Sequence, residues 1–244
     1  MSKKILVLPG DGIGQEVTKS AMQILDFIVK KFNLNFSINT LDVGGTAYEK
    51  FGSPIPDNVL AAAMEADAIL FGAVGAPQWD DLNWEDRPEN ALLTLRKELN
   101  LFANLRPAFL FNELSNASPL KEEIIEGLDI LIVRELTGGI YFGERGRKDN
   151  DNYAYDTCQY SREEIVRIAK KGFEYAQKRS KKLCCVDKAN VLETSRLWRE
   201  TVQSMEKDYP EIEVSYEFVD AVAMRLIQWP SSYDVLITSN LFGD

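Results

Sequence analysis

The sequence predicts an α/β protein with a largely parallel sheet. Short apolar runs, typical of buried strands, alternate along the chain with longer segments whose apolar residues recur at helical spacing. Several of the apolar runs end at glycines, where a strand would turn into the next element. Strands that alternate with helices in this way imply a parallel sheet.

The N-terminal part begins with an apolar run at residues 5–8 that ends at the glycine loop 9–12, and we interpret it as a buried strand. Residues 36–43 and 68–74 predict two further strands. A helix is expected between them, from Asp57 as a possible cap through Ala66. Another helix is predicted after the glycine loop from apolar residues at helical spacing: Val17, Ala21, Ile24, Leu25 and Ile28.

Residues 76–90 contain prolines, tryptophans and acids without a period, so we interpret them as a long functional loop, followed by a helix at 91–99. Ser161 and Glu164 form a capping box that opens a helix with one apolar face: Ile165, Ile168, Ala169, Phe173 and Ala176. Further strands are predicted at 129–133, 183–186, 214–219 and 234–238, and further helices around 197–205 and 222–227.

Composition indicates a globular protein of the cytoplasm. Of the 244 residues, 45% are hydrophobic and 27% charged. The formal net charge of −10 argues against a nucleic-acid or anionic-membrane partner, because both require a basic surface. Three cysteines without framework spacing favour reduced thiols. No segment has the length of a membrane span, and the first apolar run is too short for a signal peptide.

The glycine loop Gly10-Asp11-Gly12-Ile13-Gly14 allows two interpretations. Its position between a strand and a helix suits a dinucleotide site, but its spacing is G-x-G-x-G and no acid closes the second strand as a ribose partner. The alternative is a tight strand-to-helix turn. A conventional Rossmann site is therefore not expected.

Three arginines and two aspartates are candidates for binding an anionic substrate and a cation. Arg96, Arg106 and Arg134 could together bind a small di- or tricarboxylate, or each could form a surface ion pair. Asp220 and Asp244 each follow a predicted strand, and could ligate Mg²⁺ or Mn²⁺ or cap a helix.

Lys188 and Tyr141 are candidate proton carriers, because a lysine near other cations can act as a base. The chain has no histidine, which excludes histidine acid–base chemistry and histidine metal ligation.

Together, these segments resemble the β-decarboxylating dehydrogenases, the family of isocitrate and isopropylmalate enzymes. The resemblance covers essentially the whole chain in order and is carried by residues 8–17 (LPGDGIGQEV), 95–97 (LRK), 102–107 (FANLRP), 133–143 (VRELTGGIYFG), 187–192 (DKANVL), 219–224 (VDAVAM) and 240–244 (NLFGD).

The resemblance implies a two-domain α/β sandwich that is not a conventional Rossmann fold. Residues 1–101 would form the N-terminal half of the first, cofactor-side domain. Residues 102–244 would form the second domain, with metal, substrate and dimer-interface residues. The family continues past Asp244, and a predicted buried strand just before this end has no following element to cover it. We therefore expect the C-terminal part to be missing and the chain alone to bind NAD poorly.

The family's roles transfer to matching positions of this sequence. Arg96, Arg106 and Arg134 would hold the substrate carboxylates. Asp220 and Asp244 would ligate Mg²⁺ or Mn²⁺, with Asp220 also near the substrate. Lys188 would accept the hydroxyl proton as hydride passes to NAD, and Tyr141 would protonate carbon after CO₂ leaves. Lys188 and Asp220 would act in the partner subunit of a homodimer. Cofactor contacts would come from the loop between Ala76 and Glu89, including Pro77, Gln78 and Trp79, and from Ile13 and Asn190.

Within the family, the isopropylmalate branch fits best. Leu92 and Leu93 would face an isopropyl group, and an apolar pocket cannot repay the desolvation of a carboxylate. The implied reaction is the NAD-dependent oxidative decarboxylation of 3-isopropylmalate to 2-oxoisocaproate in leucine biosynthesis. Two alternatives remain: a related hydroxy acid, such as isocitrate, homoisocitrate, tartrate or malate, and an inactive dimerising fragment of such an enzyme.

Overall fold

The computed structural model describes residues 2–111, 113 and 117–244. The chain divides into two compact units, Met1–Asn100 and Leu101–Asp244. The α/β class with mostly parallel sheets is confirmed in both units. None of the described helices is both long enough and apolar enough to pass through a lipid bilayer.

The first unit is a three-stranded parallel sheet with helices around it. The sheet order is β2-β1-β3, so the first strand is central. Leu6 and Leu8 of that strand pack against Val59, Ala91 and Leu95 from the helices. The elements are β1 Lys3–Gly10, α1 Ile13–Lys31, β2 Phe36–Thr40, α2 Gly45–Phe51, α3 Asp57–Glu65, β3 Ala68–Ala73 and α4 Pro88–Glu98.

The second unit contains a five-stranded sheet of order β4-β5-β10-β8-β9, parallel except for its edge strand β4. Its main core lies between this sheet and the helices α6 and α7, around Phe173, Trp198 and Ile237. The elements are β4 Ala103–Phe109, α5 Glu122–Ile125, β5 Asp129–Glu135, β6 Arg145–Lys148, β7 Tyr153–Asp156, α6 Arg162–Gln177, β8 Lys182–Asp187, α7 Glu193–Met205, β9 Glu213–Phe218, α8 Val219–Gln228 and β10 Val235–Thr238.

The capping box and the buried face of α6 are confirmed. The Ser161 hydroxyl accepts from the Glu164 N–H, and the Glu164 carboxylate accepts from the Ser161 N–H. All five apolar residues predicted for that face are buried: Ile165, Ile168, Ala169, Phe173 and Ala176. Because both the start and the buried face follow local rules, the sequence alone defined this helix.

Several predicted helix and loop boundaries were wrong, and some helices and strands were not predicted. Pro56, not Asp57, is the N-cap of α3, and no side chain caps it. The expected long loop at 76–90 contains two 3₁₀ turns, and α4 already begins at Pro88, which is favoured at a first helical position. The strand β4, the helix α2 and the hairpin β6–β7 were not predicted. Pro107 in β4 argues against a strand, although proline is tolerated on an edge strand such as this one.

The buried face of the helix α1 agrees only in part with its apolar spacing, since Ala21, Leu25 and Ile28 are half-buried. Its buried residues are Gly14 and Thr18, whereas Val17 and Ile24 are 49% and 66% exposed. Close contact with β3 explains this choice, since a Cβ on Gly14 would lie 2.3 Å from the Pro9 carbonyl oxygen and 2.6 Å from the Ala73 nitrogen. Backbone proximity therefore selects small residues on this face of the helix.

Candidate active site

The candidate residues of the second unit gather at one edge of its sheet. The parallel strands β5, β10, β8 and β9 are consecutive in the sheet, and their carboxyl ends lie at the same edge. In α/β proteins ligands bind preferentially at this edge. The residues that lie at or just after these ends are Arg134 and Tyr141 after β5, Asn240 and Asp244 after β10, Lys188 and Asn190 after β8, and Asp220 after β9.

Arg134 is buried and is held by an asparagine that the sequence reasoning had not assigned to the site. The side-chain oxygen of Asn240 accepts from Arg134 Nε at 3.1 Å and from Nη2 at 2.8 Å. Asn240 is fully buried, and its amide nitrogen donates to the Gly138 carbonyl at 3.1 Å. Asn240 therefore fixes the plane of the Arg134 guanidinium. The remaining nitrogen of Arg134, Nη1, faces Asp244. The only available signal was its place in the segment 240–244.

Asp244 is the acceptor that joins the arginines to the tyrosine. Its Oδ1 lies 2.5 Å from Arg134 Nη1 and 3.6 Å from Arg106 Nη1, and its Oδ2 accepts from the Tyr141 hydroxyl at 3.0 Å. Burial alone would raise the pKa of Asp244, but the Tyr141 hydrogen bond and the charge of Arg134 hold that pKa below its usual value. The carboxylate is thus ionised at neutral pH, as a metal ligand must be.

Arg106 reaches this cluster from the antiparallel edge strand. It pairs with Ile132 across the β4–β5 ladder. Its Nη1 donates to the backbone carbonyls of Gly243 at 2.8 Å and Asp244 at 3.1 Å. Arg106, Arg134, Tyr141 and Asp244 therefore form one cluster of contacting side chains.

Tyr141 is placed by a turn that a buried glutamate stabilises. Glu135, fully buried at the end of β5, accepts from the backbone N–H groups of Thr137 and Gly138 at 2.9 and 2.8 Å. Arg167 lies 3.5 Å from the same carboxylate and balances part of its charge. The chain then enters the short 3₁₀ helix Gly139–Tyr141, whose first residue has a φ of 77°, a conformation that favours glycine.

Lys188 and Asp220 form a second group on the same edge. Lys188 Nζ donates to Asp220 Oδ1 at 2.6 Å and lies 5.8 Å from the centre of the Phe218 ring. The hydrogen bond from Lys188 is the largest cause that lowers the pKa of Asp220. The Asp220 side chain is 65% exposed, so its carboxylate remains accessible to a cation.

The turn that carries Lys188 and Asn190 is anchored by a buried ion pair. Asp187 is 2% exposed and accepts a two-pronged contact from Arg199 at 2.8 and 2.9 Å. The same carboxylate accepts from the Ala189 N–H, and the Lys188 N–H donates to the Ser195 hydroxyl. Asn190 is exposed at the tip of this turn. The backbone that presents Lys188 is therefore fixed on both sides.

In the first unit, four candidate residues share one face of α4. Glu89, Leu92, Leu93 and Arg96 follow the spacing i, i+3, i+4 and i+7, which places them on one side of the helix. The opposite side is buried in the core through Ala91 and Leu95. The arrangement combines a cation, two aliphatic side chains and a carboxylate on one surface.

The remaining candidates of the first unit lie at the carboxyl edge of its sheet. Ile13 is the first residue of α1 and is 62% exposed. Ala76 is half-buried, and Pro77 and Gln78 are exposed, in the segment that follows β3. Trp79 differs from these three because its side chain is buried. It is therefore a support of the loop more than a freely accessible contact.

Among residues 2–111, 113 and 117–244, no group of three or more His, Cys, Asp or Glu side chains is arranged to hold a metal ion. Asp244 belongs to the arginine cluster and Asp220 to the lysine pair. Both are ionised oxygen donors, which suit a hard divalent cation. The donor chemistry therefore fits Mg²⁺ or Mn²⁺, with further ligands from outside these two side chains.

Comparison with known proteins gives consistent matches. A family model described as isocitrate/isopropylmalate dehydrogenase matches residues 4–244. The chain is 53% identical to 3-isopropylmalate dehydrogenase of Xylella fastidiosa, covering all of this chain and 70% of that protein. It is 53% identical to the Pseudomonas putida 3-isopropylmalate dehydrogenase, covering all of this chain and 69% of that protein. Isocitrate dehydrogenase from Methylococcus capsulatus superposes with a TM-score of 0.86 at 32% identity, over 99% of this chain and 68% of that one.

Proposed function

The chain belongs to the isocitrate/isopropylmalate dehydrogenase family, and from that premise we propose that it carries out the NAD-dependent oxidative decarboxylation of 3-isopropylmalate. The products are 4-methyl-2-oxopentanoate (2-oxoisocaproate), CO₂ and NADH, and the reaction belongs to leucine biosynthesis. The observation that supports this most is the contact of Arg106, Arg134 and Tyr141 with the single carboxylate of Asp244.

Substrate binding is assigned to the arginines and to α4. Arg106 and Arg134 offer N–H groups at the sheet edge, where a malate carboxylate could replace the carboxylate of Asp244. Arg96, on α4, is also assigned to binding a substrate carboxylate. Leu92 and Leu93, each about one turn from Arg96 on the same helix surface, provide the apolar contact for the isopropyl group.

Asp220 and Asp244 are assigned to a divalent cation, Mg²⁺ or Mn²⁺. Such a cation, when bound, polarises the oxygen on the carbon that is oxidised. Asp220 is also assigned a contact with the substrate. This assignment is supported by the lowered pKa values of both carboxyl groups, because a protonated carboxyl group is a poor ligand.

Proton transfer is assigned to Lys188 and Tyr141. Lys188 Nζ, in its neutral form, would accept the proton of the substrate hydroxyl. NAD, when bound, would take the hydride from the carbon that carries this hydroxyl, which completes the two-electron oxidation of the alcohol. After the carbon–CO₂ bond breaks, Tyr141 donates its hydroxyl proton to the carbon that lost CO₂. The Tyr141 hydroxyl already donates to a site carboxylate, which shows that its proton points toward the cluster.

NAD contacts are assigned to Ile13, Glu89, Asn190 and the segment 76–79. Ile13, Pro77 and Gln78 are accessible at the carboxyl edge of the first sheet, where ligands of α/β proteins bind. Ala76 and Trp79 belong to the same segment, and the exposed Asn190 is the tip of the turn after β8.

We propose further that the active enzyme is a homodimer in which Lys188 and Asp220 serve the partner's site. Two observations support this. Among the described residues, Lys188 and Asp220 form an ion pair with each other, and neither is hydrogen-bonded to Asp244. Next to Asp220, the helix α8 and its end expose large apolar side chains: Met224, Ile227 and Trp229 are each about 60% exposed. Exposed apolar surface of this kind is typical of a protein–protein interface.

The assignment is tested by following NADH formation from 3-isopropylmalate, Mg²⁺ and NAD. Two proteins are assayed: the 244-residue chain, and the same chain joined to the part of the Pseudomonas putida relative that lies outside the match. Turnover of 3-isopropylmalate by either one supports the proposal. If both oxidise isocitrate, malate or tartrate in preference to 3-isopropylmalate, the substrate assignment is wrong. Size-exclusion chromatography with light scattering on both proteins tests the dimer.

A single substitution then tests the apolar pocket. Leu92→Ala shortens one half-buried side chain on the surface of α4 that also carries Glu89 and Arg96, so kcat/KM for 3-isopropylmalate should fall by about 10- to 200-fold. Thr94→Ala, in the same helix but not on the Glu89–Arg96 surface, is the matched control. Equal effects of the two substitutions on 3-isopropylmalate would rule out a direct contact by Leu92.

A further inference from the structure

Asp11 is the most buried carboxylate of the first unit's loops and has an unusual set of donors. It lies between β1 and α1 and is 1% exposed. Oδ1 accepts from the Thr46 N–H at 2.7 Å and the Thr46 hydroxyl at 2.9 Å. Oδ2 accepts from the N–H groups of Gly45 at 2.8 Å and Gly75 at 3.0 Å. Four hydrogen bonds thus converge on one side chain.

These donors belong to two different segments. Gly45 and Thr46 are the first residues of α2, and Gly75 begins the segment that follows β3. Asp11 itself follows β1, the central strand. The carboxylate therefore connects all three crossovers at the carboxyl edge of this sheet. Space for it depends on Gly44, where a Cβ would lie 2.4 Å from Asp11 Oδ2.

Trp79, at the end of the segment 75–79, packs against Gly45 at the start of α2. Trp79 is 8% exposed, and its indole ring lies so close to Gly45 that a Cβ there would come within 2.4 Å of three ring carbons. Gly75 is thus held by Asp11 directly. Trp79 packs against Gly45, whose N–H also donates to Asp11. The residues between them, 76–78, span the gap between two fixed ends.

We propose that Asp11 is a positioning residue for the dinucleotide: it holds the segment 75–79 in the conformation in which Ala76, Pro77 and Gln78 contact NAD. This rests on the proposed function, which assigns these residues to the cofactor. Asp11 acts through Gly75 and Trp79 and touches no reacting atom. A carboxylate is needed because only two oxygens with several lone pairs can accept from four donors at once.

The test compares two substitutions of Asp11 with a control. Asp11→Ala removes all four acceptor contacts. Asp11→Asn keeps the shape but turns an NH₂ group toward at least one backbone N–H, so its effect should be smaller. The control is Asp67→Asn. Asp67 also accepts a backbone N–H, from Lys4 at 2.8 Å, but it precedes β3 and lies at the opposite edge of the same sheet.

Two quantities are measured on both proteins described above. The first is the ¹⁹F chemical shift of Trp79 in protein labelled with 5-fluorotryptophan, with Trp198 of the second unit as the internal reference. The second is the dissociation constant of NAD, with that of 3-isopropylmalate in the presence of Mg²⁺ measured separately. When a segment that contacts a ligand is displaced by about 1 Å, the affinity for that ligand falls on the order of tenfold or more.

We expect Asp11→Ala to move the Trp79 resonance and to weaken NAD binding by at least about tenfold, with 3-isopropylmalate binding changed less than about twofold. Asp11→Asn should give the same pattern at smaller size, and Asp67→Asn should give neither change. If NAD binding stays unchanged while Trp79 moves, or if both ligands weaken equally, Asp11 has only a structural role and the inference is wrong. Failure of the unsubstituted extended protein to bind NAD would instead refute the proposed cofactor, and the role of Asp11 with it. If Asp11→Ala does not fold, Asp11→Asn decides.

Discussion

Removal of the Asn240 side chain should destabilise the second unit by more than a surface substitution can. In Asn240→Ala, two N–H groups of Arg134 and the carbonyl of Gly138 lose their partner in a place without solvent. A buried polar group left unsatisfied costs about 1–3 kcal/mol, and groups of a charged side chain lie at the upper end. Partial entry of water into the vacated space offsets some of this cost. The expected loss is therefore about 3 kcal/mol.

The assays are urea unfolding and thermal unfolding of Asn240→Ala, each followed by circular dichroism and tryptophan fluorescence. For a chain of this length, about 3 kcal/mol corresponds to a decrease in Tm of roughly 6–12 °C. The matched control is Asn104→Ala, because Asn104 lies directly across from Arg134 on β4 but is only half-buried. Its expected effect is below about 1 kcal/mol. A loss for Asn240→Ala no larger than that of the control would show that Asn240 does not hold the arginine in solution.

Three further predictions concern titration and reactivity. Because Tyr141 helps to depress the pKa of Asp244, Tyr141→Phe should raise that pKa in a ¹³C carboxyl NMR titration. The stability that Asp244 contributes is present above its unfolded pKa and lost as the pH falls through the folded pKa, so the variant should lose it at a higher pH. Lys188→Met should lower kcat by a hundredfold or more. The unfolding midpoint should stay nearly unchanged, because its ion-pair partner Asp220 is exposed. In native protein one thiol, Cys158, should react rapidly with a disulfide reagent, since burial raises the pKa of Cys184 to about 11 and that of Cys185 as well.

The parts of the fold that could be predicted from the sequence follow local rules. The helix α6 carries its capping box and a complete apolar face, and β1 ends at a glycine loop. The edge strand β4 could not be predicted, because Pro107 argues against a strand and only the pairing with β5 makes it one. The buried face of α1 is likewise set by a long-range contact between Gly14 and the strand β3. Tertiary context decides such cases.

The candidate site shows the same division. Arg106, Arg134, Tyr141 and Asp244 were selected from motifs, and the structure brings them into contact. The residues that hold them were not selected. Asn240 and Asp11 act through hydrogen bonds to partners up to 106 positions away, and no spacing rule describes such pairs. Glu135 bonds to the nearby Thr137 and Gly138, and a glutamate at the end of a predicted strand gave no sign of this role. Residues that position a site are harder to find from one sequence than residues whose chemistry is unusual.

The contact between Asp244 and Arg134 implies a coupling between cation and substrate. The Arg134 Nη1 that would bind a substrate carboxylate is occupied by Asp244 at 2.5 Å. A cation that binds Asp244 competes for the same oxygen, and therefore makes this N–H available to the substrate. Binding of the two ligands must then be cooperative, and each ligand must change the affinity for the other by the same factor.

Raising the Mn²⁺ concentration should tighten 3-isopropylmalate binding, and 3-isopropylmalate should tighten Mn²⁺ binding equally. In Asp244→Asn, whose neutral amide holds Arg134 less strongly, the substrate affinity should lose its dependence on Mn²⁺. Titration of each ligand at several concentrations of the other measures this factor, and independent binding in the unsubstituted protein would show that Asp244 does not control Arg134.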